Sequence, residues 1–241
     1  IQIAKKNNVI FDPRESDLVF IEKRKKIKDL SVPFYYSPLF ANTQTFLDAK
    51  KNKKLIPFRG PINKKTLSCA EDLNYRIIEN DKYGFKNFNS IYKKEINSII
   101  LGDSYAEGLC VNNENDIAGN LNKSKISTIN LGVTGSGPLV SLAVLKEYGN
   151  LFKPKNSIYL YFEGNDLDDL NWEKEDTNLI GYLNDKHKVN YINNYKDIKI
   201  FLEKAAEESE NIARARIKIK GYTKTIKKKK LDLFKEHLKD I

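Results

Sequence analysis

The sequence has no methionine, and its 241 residues include only two cysteines, two histidines and one tryptophan. Two cysteines are too few to build a disulfide scaffold, and neither belongs to a Cys-x-x-Cys pair of the kind that binds zinc. Two alternatives remain for Cys69 and Cys110, namely two free thiols or one bridge between them. A bridge would indicate an oxidising compartment, because disulfides persist mainly there.

Long apolar runs are also absent. No stretch approaches the ~20 residues that a membrane-spanning helix requires, and no signal peptide is visible at Ile1. Since the sequence starts at Ile1 and has no methionine, we expect a processed chain or a piece of a longer product, and we favour a piece. A signal or anchor would then lie outside the sequence. The localisation stays open, with a periplasmic or membrane-anchored protein as one alternative.

Excess charge of one sign is scarce outside a single segment. The net charge is +10, yet residues 214–230, from Arg214 to Lys230, hold nine basic side chains and no acidic one, which leaves about +1 for the rest. The basicity is therefore a local patch and not a signature of specific nucleic-acid binding. The patch could contact the anionic headgroups of a membrane surface or bind nucleic acid without specificity. The simplest interpretation is a solvated helical arm.

The hydrophobic pattern divides the chain into three parts. Residues 1–95 are predicted to form an amino-terminal helix, at 13–29 behind an Asp-Pro start, and an accessory lobe of short strands and turns. Residues 96–193 alternate strands with helices and are predicted to be the core domain. Residues 194–241 are mostly helical in pattern and form a basic arm or insertion.

The core domain has the pattern of a parallel sheet. Short apolar runs at 98–101, 126–131 and 157–162 are rich in β-branched or aromatic residues, as strands are. The segments 115–122 and 138–152 between them are typical of helices. Strands that alternate with helices form parallel sheets through right-handed crossovers. The sequence therefore predicts a three-layer α/β/α fold in which all three strands end at one edge of the sheet.

Glycines and polar residues follow each of the three strands. The three blocks are Gly102-Asp103-Ser104, the stretch from Asn130 to Gly135, and Gly164-Asn165-Asp166. Spacings of 31 and 30 residues separate the positions Ser104, Gly135 and Asn165. Together the blocks resemble the SGNH hydrolases, also called GDSL-type lipases and esterases, over roughly residues 96–170. The phrase at 161–167 resembles a bacterial subgroup that is often membrane-anchored, and the resemblance implies a flavodoxin-like sheet.

The resemblance also implies a role for each block. Ser104 would be the nucleophile, and the oxyanion hole would consist of the backbone N–H groups of Ser104 and Gly135 with the side-chain amide of Asn165. Such donors stabilise the oxyanion that forms when an ester carbonyl is attacked, and loss of one typically costs about 10²–10³ in rate. Asp103 and Asp166 are expected to support the site. The side chain of Asp103 should diverge from that of its neighbour and brace the loop.

A serine nucleophile needs a base, which the family supplies as a histidine three residues after an aspartate, late in the chain. This sequence has only His187 and His237, with Asn184 and Phe234 at the third position back. Three explanations follow. The chain ends before the Asp-x-x-His block, which we favour; His187 is an unorthodox base; or the protein is a binding module that keeps the fold without catalysis.

The sequence predicts neither a cofactor nor a metal. Asp166, Asp168 and Asp169 form an acidic cluster, but no histidine or further carboxylate stands at ligand spacing, so a solvated helix start is the better interpretation. The leading hypothesis is a serine esterase that cleaves acyl esters through an acyl-enzyme on Ser104, with acetyl groups on a carbohydrate or lipid as candidate substrates. The alternatives are an O-acyltransferase with the same nucleophile and a non-catalytic SGNH-fold binding module.

Overall fold

The computed structural model describes residues 14, 16–32, 44–51, 57–68 and 75–219. The strands are β1 (Leu30–Ser31), β2 (Lys65–Leu67), β3 (Ile77–Glu79), β4 (Ser98–Gly102), β5 (Thr128–Asn130) and β6 (Asn156–Leu160). The α-helices are α1 (Ser16–Lys26), α2 (Gln44–Lys51), α3 (Ser104–Glu107), α4 (Ile117–Lys123), α5 (Pro138–Val144), α6 (Asn150–Phe152), α7 (Asp166–Glu173), α8 (Thr177–Gly181) and α9 (Tyr195–Ile219). A 3₁₀ helix (Asn89–Lys93) precedes β4, and a π-helical segment (Leu145–Gly149) joins α5 to α6.

The main sheet has the strand order β5-β4-β6, and both pairings are parallel. Side chains that alternate along β4 face opposite helix layers. Ile99 packs in the same cluster as Val140 of α5, whereas Ile100 packs with Ala106 of α3 and Ala118 of α4. The sheet therefore has helices on both faces, and the mixed α/β class with a parallel sheet is confirmed.

One hydrophobic cluster crosses the boundary predicted at residue 95. Phe58 and Phe85 belong to the same buried cluster as Ile99 and Val140. The Phe85 and Tyr148 rings meet edge to face with centroids 4.9 Å apart. Residues 57–91 thus contribute to the core of the sheet domain through Phe58 and Phe85, while Leu67 packs with Val19, Phe20 and Leu30 in a second, smaller cluster.

The two edges of the main sheet differ. On the β5 side, Asn87 takes the place of a neighbouring strand, because its side chain donates to the carbonyl of Asn130 and accepts from the N–H of the same residue, both at 2.8 Å. Asn87 is held in turn by the buried Asp81, whose carboxylate accepts a hydrogen bond from Asn87 Nδ2 at 2.8 Å. On the β6 side, Ile158 and Tyr159 are exposed. Within the described ranges, the sheet edge is therefore covered beside β5 and has no neighbouring strand beside β6.

A second, smaller sheet has the order β1-β2-β3 and belongs to the predicted accessory lobe. Its β2 strand leads to Ser68, whose hydroxyl accepts a hydrogen bond from the N–H of Cys110 at 3.2 Å. Cys110 is disulfide-bonded. The other cysteine of the sequence, Cys69, lies outside the described residues. Of the two alternatives left by the sequence, the structure thus supports the bridge.

The amino-terminal helix ends earlier than its pattern predicted, and the carboxy-terminal helix is described as far as Ile219. The helix predicted at 13–29 is α1 (Ser16–Lys26), and the predicted start at Asp12 and Pro13 lies outside the described residues. In the carboxy-terminal arm, α9 packs against α1 and α2. Two members of the basic patch are paired, Arg214 with Glu210 and Arg216 with Asp17; residues 220–230 are outside the described part. None of the helices described is both long and apolar enough to cross a bilayer.

Candidate functional site

Ser104 lies immediately beyond the carboxyl end of the central strand β4. It is the first residue of α3, where Asp103 is the N-cap and accepts from the N–H of Tyr105 at 2.9 Å. Its side chain is half-buried. Among the described residues, neither the hydroxyl nor the backbone N–H of Ser104 has a hydrogen-bond partner. A hydroxyl and an N–H are therefore both available at this strand end.

The turn that carries Gly135 contacts the strand and helix that position Ser104. Gly102 accepts from the N–H of Val133 at 2.9 Å and from the Ser136 hydroxyl at 3.3 Å. Gly135 has φ +79°, a left-handed conformation that favours glycine. Its N–H also lacks a hydrogen-bond partner within the part of the chain that the structure describes. Two predicted oxyanion donors are thus free on adjacent segments.

Close approach of α3 to this turn requires a glycine at position 132. A Cβ atom there would lie 2.2 Å from the backbone nitrogen of Glu107. The Glu107 carboxylate then reaches over to accept a hydrogen bond from the N–H of Thr134 at 2.7 Å and another from its hydroxyl. The backbone contact at Gly132 and the hydrogen bonds between Glu107 and Thr134 together fix the distance between α3 and the turn that carries Gly135.

Asn165 is the N-cap residue of α7, at the end of the third strand of the sheet. Its side-chain amide donates to Asp169 at 3.1 Å, which uses one of the two amide hydrogens. Asp169 also accepts from the indole N–H of Trp172 at 3.0 Å. Asn165 is close enough to Asp103 to lower the pKa of that carboxyl. The structure therefore brings the ends of β4 and β6 together at one site.

The two supporting aspartates are both buried. Asp166 accepts from the Tyr159 hydroxyl and the Phe162 N–H, each at 2.9 Å, and so closes the turn after β6. Burial raises the pKa of Asp103, and the nearby charge of Asp166 raises it further. In the described part of the chain, no group of three or more His, Cys, Asp or Glu side chains is placed to hold a metal ion. We describe these carboxylates as structural supports of the loops.

A buried cation holds α3 from below. Lys86 donates to the carbonyls of Glu107 and Gly108 at 3.2 and 2.7 Å, and it pairs with Asp116 at 3.1 Å. Both side chains of this ion pair are only 1% exposed. Burial raises the pKa of Asp116, and Lys86 lowers it. A four-residue helix cannot persist by its own hydrogen bonds, so these contacts keep Ser104 in place.

Glu173 holds the amino end of α5 beside the site. Its carboxylate is fully buried and accepts from the backbone N–H groups of Gly137 at 2.6 Å, Leu139 at 2.8 Å and Val140 at 3.4 Å. Burial raises the pKa of Glu173 to about 7, while these three donors lower it. The balance leaves a carboxyl that titrates near neutral pH.

We predict that Glu173→Gln removes a pH dependence of stability. The ordinary value of the Glu173 pKa is 4.5 and the folded value is about 7. Between these values the folded chain binds the extra proton, so the free energy of unfolding falls as pH rises, by about 3 kcal/mol in full. Urea unfolding of both proteins between pH 4.5 and 8 checks this. The free energy of unfolding of the glutamine variant, measured relative to that of the wild type, should increase from pH 4.5 to pH 8. Parallel pH profiles of the two proteins would contradict the raised pKa of Glu173.

In the part of the chain that the structure describes, the neighbours of His187 are Tyr182 and Gly181, and its contacts do not include Ser104. Its ring packs edge to face on Tyr182, with centroids 4.8 Å apart. The carbonyl of Tyr182 accepts from Lys146 at 2.7 Å, in the π-helical segment. Lys146 lies just beyond the carboxyl end of α5, whereas Gly137, at the amino end of that helix, adjoins the site. The structure does not bring this candidate base to the nucleophile, and the second histidine, His237, lies outside the described residues.

An exposed aromatic surface adjoins the site. The rings of Tyr105 and Phe162 lie 4.6 Å apart between centroids, and Tyr105 is 62% exposed. Tyr161 and Leu167 are exposed as well. Since Tyr105 follows Ser104 directly and Phe162 precedes Asn165 by three residues, an apolar group bound here would lie next to the nucleophile.

Sequence reasoning missed three residues that organise the site, namely Lys86, Glu107 and Glu173. Glu107 had a local signal, because it stands three residues after Ser104 and so on the same side of a helical turn. The Asn165–Asp169 hydrogen bond also had a local signal, since residues four positions apart are neighbours on the surface of a helix. Lys86 and Glu173 act on residues more than 20 positions away, and no spacing announces such contacts.

Fold and site together define a mixed α/β protein with a serine at the end of the central strand of a parallel sheet, and in the described part of the chain this serine has no hydrogen-bond partner for its hydroxyl. Comparison of the chain with models of known protein families, with curated proteins and with solved structures found no match.

Proposed function

We propose that this chain carries the nucleophile and the oxyanion hole of an SGNH-type serine esterase that cleaves acyl esters. The observation that carries the proposal is that, among the residues the structure describes, the Ser104 hydroxyl at the end of β4 and the backbone N–H groups of Ser104 and Gly135 have no hydrogen-bond partner. A serine in that place can attack a carbonyl, and preorganised N–H groups stabilise the charge that develops on its oxygen.

The third donor of the hole is the Asn165 amide. Its bond to Asp169 fixes the orientation of the amide, and a hydrogen bond from the same side chain lowers the pKa of Asp103 beside the nucleophile. In the proposed reaction the Ser104 oxygen bonds to the acyl carbon, the alcohol leaves with a proton, and water then hydrolyses the acyl-enzyme. The aromatic surface of Tyr105 and Phe162 supports an ester with an apolar or sugar portion, such as an acetylated carbohydrate or lipid.

The base is proposed to lie outside these 241 residues, in an Asp-x-x-His block. The position of His187 at the far end of α5 supports this over the unorthodox base. The chain of 241 residues alone is then expected to turn over little ester. Full activity of that chain would assign the base to a residue within it, with His187 the first to test.

Labelling of the full-length protein with a fluorophosphonate tests the proposal. We expect one adduct, mapped by peptide mass spectrometry to Ser104, together with hydrolysis of short p-nitrophenyl esters. Ser124→Ala is the matched control, because Ser124 is exposed at the end of α4, and it should label like the wild type.

Two results bear against the esterase. Full-length protein that contains an Asp-x-x-His block, yet neither labels nor hydrolyses, would favour the binding module. Transfer of the acyl group to a sugar hydroxyl in preference to water would favour the O-acyltransferase.

The disulfide at Cys110 supports an oxidising compartment for either enzyme. Contact of the basic patch with an anionic membrane surface remains a separate proposal, without specific nucleic-acid binding.

A further inference from the structure

Glu107 links the segment that carries the nucleophile to the segment that carries an oxyanion donor. The α3 helix is a single turn, with Ser104 as its first residue and Glu107 as its last. The Glu107 carboxylate oxygen Oε2 accepts from both the N–H and the hydroxyl of Thr134. Thr134 directly precedes Gly135, whose N–H is unpartnered in the described structure.

The helix end of this link is held independently. The Glu107 carbonyl accepts from Lys86 Nζ at 3.2 Å and from Asn130 Nδ2 at 3.2 Å. The Ala106 carbonyl accepts from the same Asn130 amide at 2.9 Å. Lys86 and Asn130 thus hold the backbone of α3. Because the Glu107 side chain is bonded to Thr134, it fixes the turn that contains Thr134 relative to α3.

The turn end has its own backbone restraint, because the Ser136 N–H donates to the Val133 carbonyl at 3.1 Å and closes the turn around Thr134 and Gly135. Val133 and Ser136 are bonded to Gly102, but Thr134 and Gly135 lie between them at the tip. The Thr134 N–H is bonded to no group other than Glu107 among the described residues. Loss of the carboxylate would therefore remove the side-chain restraint that ties this turn to α3 and leave the peptide that carries the Gly135 N–H held by the turn's own backbone bond.

We propose that Glu107 is a positioning residue that sets the Gly135 N–H for the oxyanion formed at Ser104, an inference that rests on the proposed esterase function. Glu107 touches no reacting atom in this account. Its hydrogen bonds to Thr134 hold the turn at the place where charge develops on the substrate oxygen, so its effect is exerted in the transition state.

Steady-state hydrolysis of a short p-nitrophenyl ester by full-length variants tests the proposal. Glu107→Ala should lower kcat about 10- to 100-fold, because a displaced or lost oxyanion donor costs rate, while KM changes less than about twofold. Glu107→Gln keeps a carbonyl that can accept both Thr134 bonds, and it should restore kcat to within about threefold of the wild type. Glu114→Ala, at an exposed glutamate, is the matched control.

A second variant covers the case in which Glu107→Ala does not fold. Thr134→Val keeps the shape and the N–H but lacks the hydroxyl, and it should lower kcat about fivefold, as for one lost hydrogen bond. If either variant, folded, lowers only thermal stability and leaves kcat unchanged, Glu107 is merely structural and the proposal is wrong while the esterase stands. A wild-type protein without hydrolysis or labelling at Ser104 would overturn both.

Discussion

Replacement of Ser104 by alanine is expected to lower ester hydrolysis by the full-length protein about 10⁴-fold or more, since removal of the nucleophile leaves only the binding and oxyanion contributions. The variant should fold normally. The Ser104 hydroxyl is half-buried and has no hydrogen-bond partner among the described residues, so its loss should change the free energy of unfolding by less than about 0.5 kcal/mol.

Initial rates with a short p-nitrophenyl ester, and urea unfolding of the same preparations, measure the two effects. Ser124→Ala separates loss of the nucleophile from loss of any serine. A Ser104→Ala protein that kept a tenth or more of the wild-type rate would mean that another group attacks the ester.

Replacement of Lys86 by methionine is expected to destabilise the chain by about 3–5 kcal/mol, the usual cost of leaving a buried charge without its partner. The partner is Asp116, 3.1 Å away and, like Lys86, 1% exposed. The substitution also removes the donor to the carbonyls of Glu107 and Gly108. Because α3 loses this support, hydrolysis should fall together with stability.

Urea unfolding of a double-mutant cycle with Asp116→Asn isolates the pair. The double variant should be less destabilised than the sum of the single variants, because neither charge is then left alone. The matched control is Lys123→Met, since Lys123 is exposed and, among the described residues, its ammonium group is bonded only to the Asn115 side chain, at 2.9 Å. This substitution should cost about 0.5 kcal/mol or less. A Lys86→Met protein within about 1 kcal/mol of the wild type would contradict this account of the ion pair.

Local patterns predicted the main sheet well. The apolar runs at 98–101, 126–131 and 157–162 overlap the strands that form there, β4, β5 and β6, with ends that differ by one to two residues at most of the boundaries. Short runs bounded by glycine or polar residues carry their own signal, because buried parallel strands are apolar on both faces. The same signal placed Ser104, Gly135 and Asn165 at strand ends. Their catalytic roles stay predictions.

Long-range contacts had no such signal. The charge of Lys86 is typical of a surface residue, yet its side chain is buried against α3. There it contacts residues that lie 21 to 30 positions later in the sequence. Phe58 and Phe85 read as members of a separate lobe, yet they pack in the main core. The position of His187 depends on how the loop after α8 wraps the π-helical segment, which no local pattern encodes.

The measurement that tests the central claim most directly is the mass of the full-length protein within the first turnovers of a short p-nitrophenyl ester, quenched in acid and mapped by peptide. We predict a transient increase equal to one acyl group, located on Ser104, because the proposed reaction passes through an acyl-enzyme on that oxygen. Hydrolysis of the ester without an acyl group on Ser104, or at an equal rate by Ser104→Ala, would contradict the account.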